Sequence, residues 1–167
     1  SVETAMKMAM MATGRKYFIT GTQDFHGKSL GALSLTGKGV YREPFLPMLQ
    51  GVRHVPFGDF DYLKKTMESM AYIGELPAAI ILEPIEGEIG VIIPPDDYFP
   101  KVRALCDEYD VLLVADEVQT GLGRTGKLFA VDHWGVEPDI ICLAKAMGGG
   151  VMPLSAAVCT KRCYEAY

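Results

Sequence analysis

The chain has 167 residues, of which 49% are hydrophobic and 22% are charged, and its formal net charge is −5. This length suits a single hydrophobic core, and the composition excludes a disordered chain. The negative charge and the lack of a lysine/arginine run argue against a general nucleic-acid binder, and no apolar run reaches the ~20 residues of a membrane-spanning helix.

The first segment and the cysteines bear on the cellular compartment. The segment SVETAMKMAM is amphipathic and has no signal-peptide cleavage pattern. The four cysteines are unevenly spaced, so we expect reduced thiols and a cytoplasmic protein. Cys159 and Cys163 have no second Cys/His pair nearby, which makes apolar packing a better interpretation than a metal site. We expect no metal.

The first half of the chain predicts two helices around a strand, and then a third helix. Met6, Ala9 and Met10 recur at helical spacing, and Gly14 would end that helix. The apolar run from Lys16 to Gly21 predicts a strand. The remaining predictions are a helix over 29–35, a long surface excursion over 41–59 because of its prolines and glycines, and an amphipathic helix over 61–74.

The second half predicts four strands and one more helix. The predicted strands are AAIILEP, VLLVADE, IICLA and SAAVCT. A loop, IEGEIGVIIPPDD, and a helix, YFPKVRALCDEY, follow the first of these strands. Asp96 or Asp97 could cap that helix.

The strands are continuous apolar runs, with no alternation of apolar and polar residues. Sheets that are buried on both faces have such strands, so we predict an α/β fold with a parallel sheet. Ligands of these folds bind beyond the carboxyl ends of the strands. Glu83, Asp116 and Lys145 each stand at such an end.

Asp116 and Lys145 together indicate one kind of chemistry. Asp116 alone could equally be a helix N-cap or a partner for Arg124 or Lys127. A lysine at the end of a buried strand is unusual, and a desolvated lysine has a free amine that attacks carbonyl carbons. A lysine for an aldehyde and an acid for a pyridinium nitrogen are what pyridoxal phosphate requires.

A glycine run supports this interpretation, and a second motif offers an alternative to it. Glycines 148, 149 and 150 would let the backbone approach a flat ligand and adopt unusual dihedral angles. GLGRTGK, over 121–127, fits the phosphate-binding loop of nucleotide triphosphatases, but Leu128 stands where that loop has Ser or Thr, and no clear helix follows. These two departures argue against a nucleoside triphosphatase.

A long stretch of the sequence resembles a known family. LVADEVQTGLGRTGKLFAVDHWGVEPDIICLAKAMGGGVMPLSAAV is similar to the signature region of class III, ornithine-aminotransferase-like, pyridoxal-phosphate aminotransferases. The similarity extends through ILEPIEGEIGVIIPPDDYFPKVRALCDEYD and covers the whole chain. FHGKSLGALS and FLPMLQGVRHVPFGD most resemble putrescine (diamine) aminotransferases. The resemblance implies the three-layer, mostly parallel sheet of the large domain of fold-type I pyridoxal-phosphate enzymes.

The resemblance assigns the residues around the cofactor ring. Lys145 matches the lysine that forms a Schiff base with the cofactor and later moves a proton, and Asp116 matches the acid at the pyridine nitrogen. Gln119 matches the amide at the phenolic oxygen, and Val118 and Phe25 match the residues on the two ring faces.

The resemblance also assigns four residues farther from the ring. His26 and Glu83 are still expected among the cofactor-binding residues, His26 as supporting structure beside the cofactor and Glu83 as a glutamate that faces the site close to it. Glu88 matches a glutamate that gates alternate substrates. Lys28 stands where many relatives of the α-carboxylate type have arginine, which fits a diamine substrate; a solvated surface lysine is the alternative.

Glu86 is a second departure, because the family usually has glutamine there. It places three acids close together in the sequence, with Glu83 and Glu88. This acidic loop could favour a cationic substrate, but a solvated loop is the preferred interpretation.

The resemblance implies transamination between an amine or ω-amino donor, with a putrescine-like diamine favoured, and a 2-oxo acid acceptor. The alternatives are ornithine, acetylornithine or 4-aminobutyrate aminotransferases and an inert fragment. A homodimer is expected, and no nucleic acid or membrane partner.

Because Ser1 starts within a helical pattern and Tyr167 ends in one, we expect residues 1–167 to be part of the large domain of a longer chain, without its N-terminal segment and C-terminal small domain. The phosphate-binding loop and the gating arginine would lie outside these residues.

Overall fold

A computed structural model describes all 167 residues, from Ser1 to Tyr167, and contains six strands, six α-helices and three short 3-10 helices. The strands are β1 (Tyr17–Gly21), β2 (Val52–Val55), β3 (Pro77–Leu82), β4 (Leu112–Asp116), β5 (Ile140–Leu143) and β6 (Ala156–Cys159). The helices are α1 (Val2–Thr13), α2 (Leu30–Leu35), α3 (Gly39–Arg42), α4 (Phe60–Tyr72), α5 (Tyr98–Tyr109) and α6 (Lys161–Ala166). No helix has the length and apolar character needed to cross a membrane.

The strands form one sheet in the order β2-β1-β3-β4-β5-β6. All neighbouring pairs are parallel except β5 and β6, which are antiparallel. The prediction of a mostly parallel α/β sheet is therefore confirmed, and the antiparallel edge strand is the exception to it. Every residue of β3 and β4 is buried, which explains why these strands are apolar throughout.

Helices cover both faces of the sheet, so the chain has three layers. One apolar cluster joins α1, α2 and α6 to the sheet and includes Met6, Leu35 and Cys163. The other cluster joins α4 and α5 to the opposite face and includes Met67 and Phe99.

The surface excursion predicted over 41–59 contains a strand that the sequence analysis missed. Val52–Val55 pairs in parallel with β1 and forms the edge of the sheet. Only Val55 is buried in this strand, and Arg53 is exposed. An edge strand this short and polar has no continuous apolar run, so its sequence does not distinguish it from a loop.

The helix ends agree with the sequence in most places. Gly14 ends α1 with a left-handed φ of 70°. Asp59 caps α4 through a hydrogen bond from the Tyr62 amide. Asp97 is the N-cap of α5, but its carboxylate does not cap the helix and forms an ion pair with Lys101.

Candidate active site

The carboxyl ends of four parallel strands converge on one cavity. Strands β1, β3, β4 and β5 are consecutive neighbours in the sheet, so the residues that follow them lie along the same edge. The cavity there has a volume of about 80 Å³. Its lining consists of Phe25, His26, Gly27, Glu83, Asp116, Val118, Gln119 and Lys145. The structure thus brings together every residue that was predicted to contact the cofactor.

Asp116 is the last residue of β4 and is only 3% exposed. Its Oδ2 atom lies 2.8 Å from His26 Nδ1, and its Oδ1 atom accepts a hydrogen bond of 3.2 Å from the Val118 amide. The alternatives of an ion pair with Arg124 or Lys127 and of a helix N-cap are wrong, because the partner is His26 and no helix follows. Each carboxylate oxygen has two lone pairs, so both keep capacity for a further donor.

His26 lies between two carboxyl groups. Its Nε2 atom is 2.9 Å from Thr20 Oγ1 and 3.4 Å from Asp24 Oδ2, while Nδ1 faces Asp116. Burial lowers the pKa of His26, but the hydrogen bonds with Asp116 and Asp24 outweigh this effect and raise it to about 10. The ring is therefore an imidazolium at neutral pH, and it supports Asp116 directly.

The sequence analysis missed Asp24, which is fully buried. Its Oδ2 atom accepts a hydrogen bond of 3.0 Å from the Gly21 amide, beside the contact with His26. A Cβ atom on Gly21 would lie 2.8 Å from the Asp24 carboxyl carbon, so the glycine is needed for this close approach. An aspartate in the polar loop TQDFHG has no sequence signal that distinguishes it from a solvated residue.

Glu83 positions Phe25 through the backbone. Its Oε1 atom accepts a hydrogen bond of 2.8 Å from the Phe25 amide, and the side chain is 2% exposed. Burial is the largest cause that raises the pKa of Glu83, to about 7, and the charge of Asp24 adds to it. Glu83 thus ties the loop after β1 to the end of β3.

The segment after β4 is held in a fixed conformation. The carboxylate of Glu117, a residue that the sequence analysis did not single out, accepts hydrogen bonds from the Thr120 hydroxyl and, at 2.9 Å, from the Val131 amide. Gln119 packs over Gly87, where a Cβ atom would lie 2.8 Å from its amide nitrogen. These contacts place Val118 and Gln119 at the cavity.

Lys145 follows β5 and differs from the other lining residues. It is exposed, so the burial that the sequence suggested is not found, and its backbone has a left-handed φ of 44°. Gly149 and Gly150 also have positive φ, as the glycine run predicted, but Gly148 does not. Lys145 lines a second and larger cavity of about 570 Å³, formed by the segment over 144–155.

Tyr41 connects Phe25 to Glu88 at the outer side of the site. The Tyr41 hydroxyl donates a hydrogen bond of 2.7 Å to Glu88 Oε1, and its ring meets Phe25 edge-on at 5.6 Å between centroids. The exposed Lys28 places its ammonium group 4.8 Å from the centre of the Tyr41 ring. Lys28 is therefore exposed but packed on an aromatic ring, and neither interpretation of it included Tyr41.

The preferred interpretation of a solvated acidic loop is wrong for Glu86. Glu88 is exposed, but Glu86 is fully buried, and neither of its carboxylate oxygens has a hydrogen-bond partner. Burial is the largest cause that raises the pKa of Glu86, to about 7, followed by the charges of Asp24 and Glu83.

The GLGRTGK segment is not a phosphate-binding loop. It consists of turns and bends, and the first regular structure that follows is a short 3-10 helix over Ala130–His133. Lys127 donates its ammonium hydrogen to the carbonyl oxygen of Asp132. The loop therefore has neither the helix N-terminus nor the free lysine that a nucleotide phosphate needs.

The cysteines and acids form no metal site. No group of three or more His, Cys, Asp or Glu side chains could hold a metal ion, and the four cysteines are free. Cys163 is buried in an apolar cluster, with Cys159 packed against it.

Comparison with known proteins decides the family. The family described as "Aminotransferase class-III" matches residues 1–167. The chain belongs to the class III aminotransferases.

Three relatives illustrate the similarity of this class III chain. A putrescine aminotransferase from Pectobacterium atrosepticum is 56% identical over 99% of the chain, which spans 36% of that relative. An amine transaminase from an uncultivated Pseudomonas species, solved in its PLP-bound form, is 36% identical with a TM-score of 0.91, and the match covers 99% of this chain and 42% of that one. A taurine:2-oxoglutarate aminotransferase from Bifidobacterium kashiwanohense, solved with PLP and glutamate, is 37% identical with a TM-score of 0.89, covering 99% and 41%.

Proposed function

We propose that this chain is the part of a pyridoxal-phosphate-dependent aminotransferase that holds the cofactor ring and carries the reactive lysine. The observation that supports this most strongly is the cavity that Asp116 and Lys145 line together with Phe25 and Val118. An acid, an amine and two apolar side chains are the donor set that a flat, charged pyridine aldehyde requires.

The residues present fit this cofactor. Asp116 would meet the ring nitrogen, because its oxygens have lone pairs left after the bonds to His26 and Val118. Gln119 would donate its amide hydrogen to the phenolic oxygen, and Lys145 Nζ would hold the aldehyde carbon. When bound, the cofactor supplies an electron sink for the electrons of the broken C–H bond.

The His26 imidazolium keeps the Asp116 side chain in place and compensates its charge. A buried carboxylate without a partner is costly, and the contact of 2.8 Å between His26 and Asp116 offsets that cost. One close opposite charge moves a pKa by ~1–3 units, so Asp116 can keep a ring nitrogen protonated.

Lys145 is the only amine that lines the cavity, so we assign the proton transfer to its Nζ atom. A free amine takes a proton from the substrate carbon and returns it to a neighbouring atom. A positioned acid or base of this kind contributes about 10²–10⁴-fold in rate. Because Lys145 is exposed, a cover from outside residues 1–167 would be needed to exclude water from this step.

For the donor we propose an amine or ω-amino compound, with a putrescine-like diamine favoured, and for the acceptor a 2-oxo acid such as 2-oxoglutarate or pyruvate. The identity of 56% to a putrescine aminotransferase supports the diamine. Lys28 adds support, since it packs on Tyr41 and provides no planar fork for an α-carboxylate. The Tyr41–Glu88 pair offers a polar edge at which a second ammonium group could bind.

We further propose that the enzyme is a cytoplasmic homodimer. The four free cysteines support a reducing compartment. The segment over 144–155 presents Val151, Met152 and Leu154 to the surface beside Lys145, which supports a second subunit as the cover of this side of the site.

The substrate proposal is tested with the full-length enzyme and three donors. We expect a higher kcat/KM for putrescine than for ornithine or 4-aminobutyrate. Preference for the α-amino group of ornithine would contradict the role of Lys28. As a test of cofactor class, pyridoxal phosphate should raise the melting temperature, and ATP with Mg²⁺ should not.

A further inference from the structure

Glu86 and its surroundings contain an unusual concentration of buried polar atoms without partners. Both carboxylate oxygens of Glu86, Oδ1 of Asp24 and the hydroxyl oxygen of Tyr98 are buried and have no hydrogen-bond partner. Glu86 and Asp24 are both fully buried, and Tyr98 is 1% exposed. A buried polar group without a partner is costly, so this arrangement requires an explanation.

The unpaired atoms belong to one neighbourhood. The charges of Asp24 and Glu83 act on Glu86, and the charges of Asp24 and Glu86 act on Tyr98. These groups come from the loop after β1, the segment after β3 and the start of α5. Two more charged groups lie at the margin, because Asp116 acts on Glu83 and Asp59 acts on Tyr98.

The neighbourhood has more acids than positive charges. Asp24, Glu83 and Glu86 are all buried, and the one cation among them is His26, which also serves Asp116. No lysine or arginine forms an ion pair with Glu86. Burying several carboxylates without enough opposite charge is strongly unfavourable, and a proton on one of them is the least costly remedy.

We propose that Glu86 is a neutral carboxylic acid in the folded protein and that its proton reduces the negative charge beside Asp24 and His26. A protonated carboxyl group has one O–H donor, whereas a carboxylate has none. It can therefore serve a buried acceptor that has no partner, such as Asp24 Oδ1. Glu86 is then a positioning residue that acts on the site through Asp24 and His26.

This proposal makes the stability of the protein depend on pH in a defined direction. The pKa of Glu86 is raised, to about 7, mainly by burial. Between the ordinary glutamate pKa of ~4.3 and this value, the folded state holds a proton that the unfolded state has lost, so the free energy of unfolding decreases as pH increases. Glu83 shifts in the same direction, so the Glu86 contribution must be isolated by substitution.

Glu86→Gln is the test, because an amide has nearly the shape of a neutral carboxylic acid and cannot ionise. The melting temperature of the full-length protein without cofactor is measured from pH 5 to pH 9, beside the wild type and Glu137→Gln, an exposed control. We expect Glu86→Gln to melt about 2–8 °C higher than the wild type at pH 9. The difference should shrink towards pH 5, and the control should follow the wild type throughout.

The result that overturns the proposal is a Glu86→Gln curve that stays parallel to the wild type or falls below it at pH 9. Such a curve would mean that Glu86 is an ionised carboxylate, stabilised by ordered water.

Infrared spectroscopy keeps the proposal testable if the variant folds poorly. A carboxylic acid C=O band that disappears between pH 5 and pH 9 in the wild type and also in Glu83→Gln supports the proposal, because a band that remains in that variant does not come from Glu83. A wild-type spectrum with no such band at pH 5 contradicts it. Neither measurement depends on transamination, so this proposal and the proposed function can fail separately.

Discussion

At one end of the candidate site, Asp116 is buried and both of its carboxyl oxygens accept or share hydrogen bonds; at the other end, Lys145 is exposed and its ammonium group has no partner. The Asp116 end rests on His26, Thr20 and Asp24, which come from the β1 side of the sheet. The Lys145 end rests on a short, glycine-rich segment. Residues 1–167 therefore build the electrostatic end of the site by themselves, whereas the lysine end is open to solvent.

Because the Lys145 end of the site is exposed, Lys145→Ala should have the largest effect on catalysis and almost none on stability. Without the amine, we expect activity to fall by about 10⁴-fold or more, the upper range for a positioned proton carrier. The melting temperature of the enzyme without cofactor should stay unchanged, because the side chain is exposed and unpaired. Steady-state kinetics measure the loss of activity, and thermal melting checks that the stability is unchanged.

Lys127→Ala is the matched control for Lys145→Ala. Lys127 belongs to the GLGRTGK segment and bonds only to the Asp132 carbonyl oxygen. The Lys127→Ala substitution should leave transamination intact. If Lys127→Ala were the more damaging change, both the aminotransferase proposal and the contrast between the two ends would be wrong.

Asp116→Asn should reduce both catalysis and stability, unlike the change at Lys145. Loss of one preorganised electrostatic partner costs about 10²–10³-fold in rate, and kcat/KM should fall by that amount. The melting temperature should fall as well, because His26 loses a buried partner. Asp61→Asn, at an exposed position of α4, should change neither quantity. An Asp116→Asn enzyme with full activity would contradict the role of this acid.

His26→Gln tests the electrostatic end through its pH dependence. The raised pKa of His26 means that its contribution to the free energy of unfolding is complete below the ordinary histidine pKa of ~6.5 and is lost as pH rises through about 10. Breaking a buried pair costs about 3–5 kcal/mol, so the variant should be less stable by that amount near pH 6 and approach the wild type above pH 10. Denaturant melts at several pH values measure this, with the exposed His133→Gln as control. A difference that does not change with pH would show that His26 only fills space.

Gly150→Ala is the smallest predicted effect and concerns the lysine end. Gly150 has a left-handed φ of 75°, whereas Gly148 does not have a positive φ. Forcing an alanine into the left-handed region costs about 1–2 kcal/mol, but Gly148→Ala should stay within about 0.5 kcal/mol of the wild type. Denaturant unfolding compares the two, and equal effects would contradict a requirement for glycine at 150.

The sequence predicts most of the sheet and the lining of the site, and the physical reasons are visible in particular residues. Strands β3 and β4 are buried on both faces, so their apolar runs mark them, and the polar residue after each run marks the edge of the sheet. Strand β2 has no such run and was missed. The partner of Asp116 was also missed, because contact between His26 and Asp116 depends on the order of strands, which local sequence does not encode.

Burial was the property that the sequence predicted least well. The sequence predicts a buried Lys145, which is exposed in the structure, and a solvated Glu86, which is buried. In both cases the neighbouring residues gave the wrong prediction of burial, because an apolar strand precedes Lys145 and acids flank Glu86. Burial of a charged residue depends on what packs over it from other elements, and the local sequence does not contain that information.

Borohydride reduction followed by peptide mapping tests directly whether Lys145 is the lysine that bonds to pyridoxal phosphate. The full-length enzyme is incubated with pyridoxal phosphate, reduced, digested and analysed by mass spectrometry, so that the lysine bonded to the cofactor carries a stable pyridoxyl phosphate group. We expect the group on Lys145 and its loss in Lys145→Ala. A group on another lysine, or no group on any, would contradict the assignment of Lys145 and with it the proposed function.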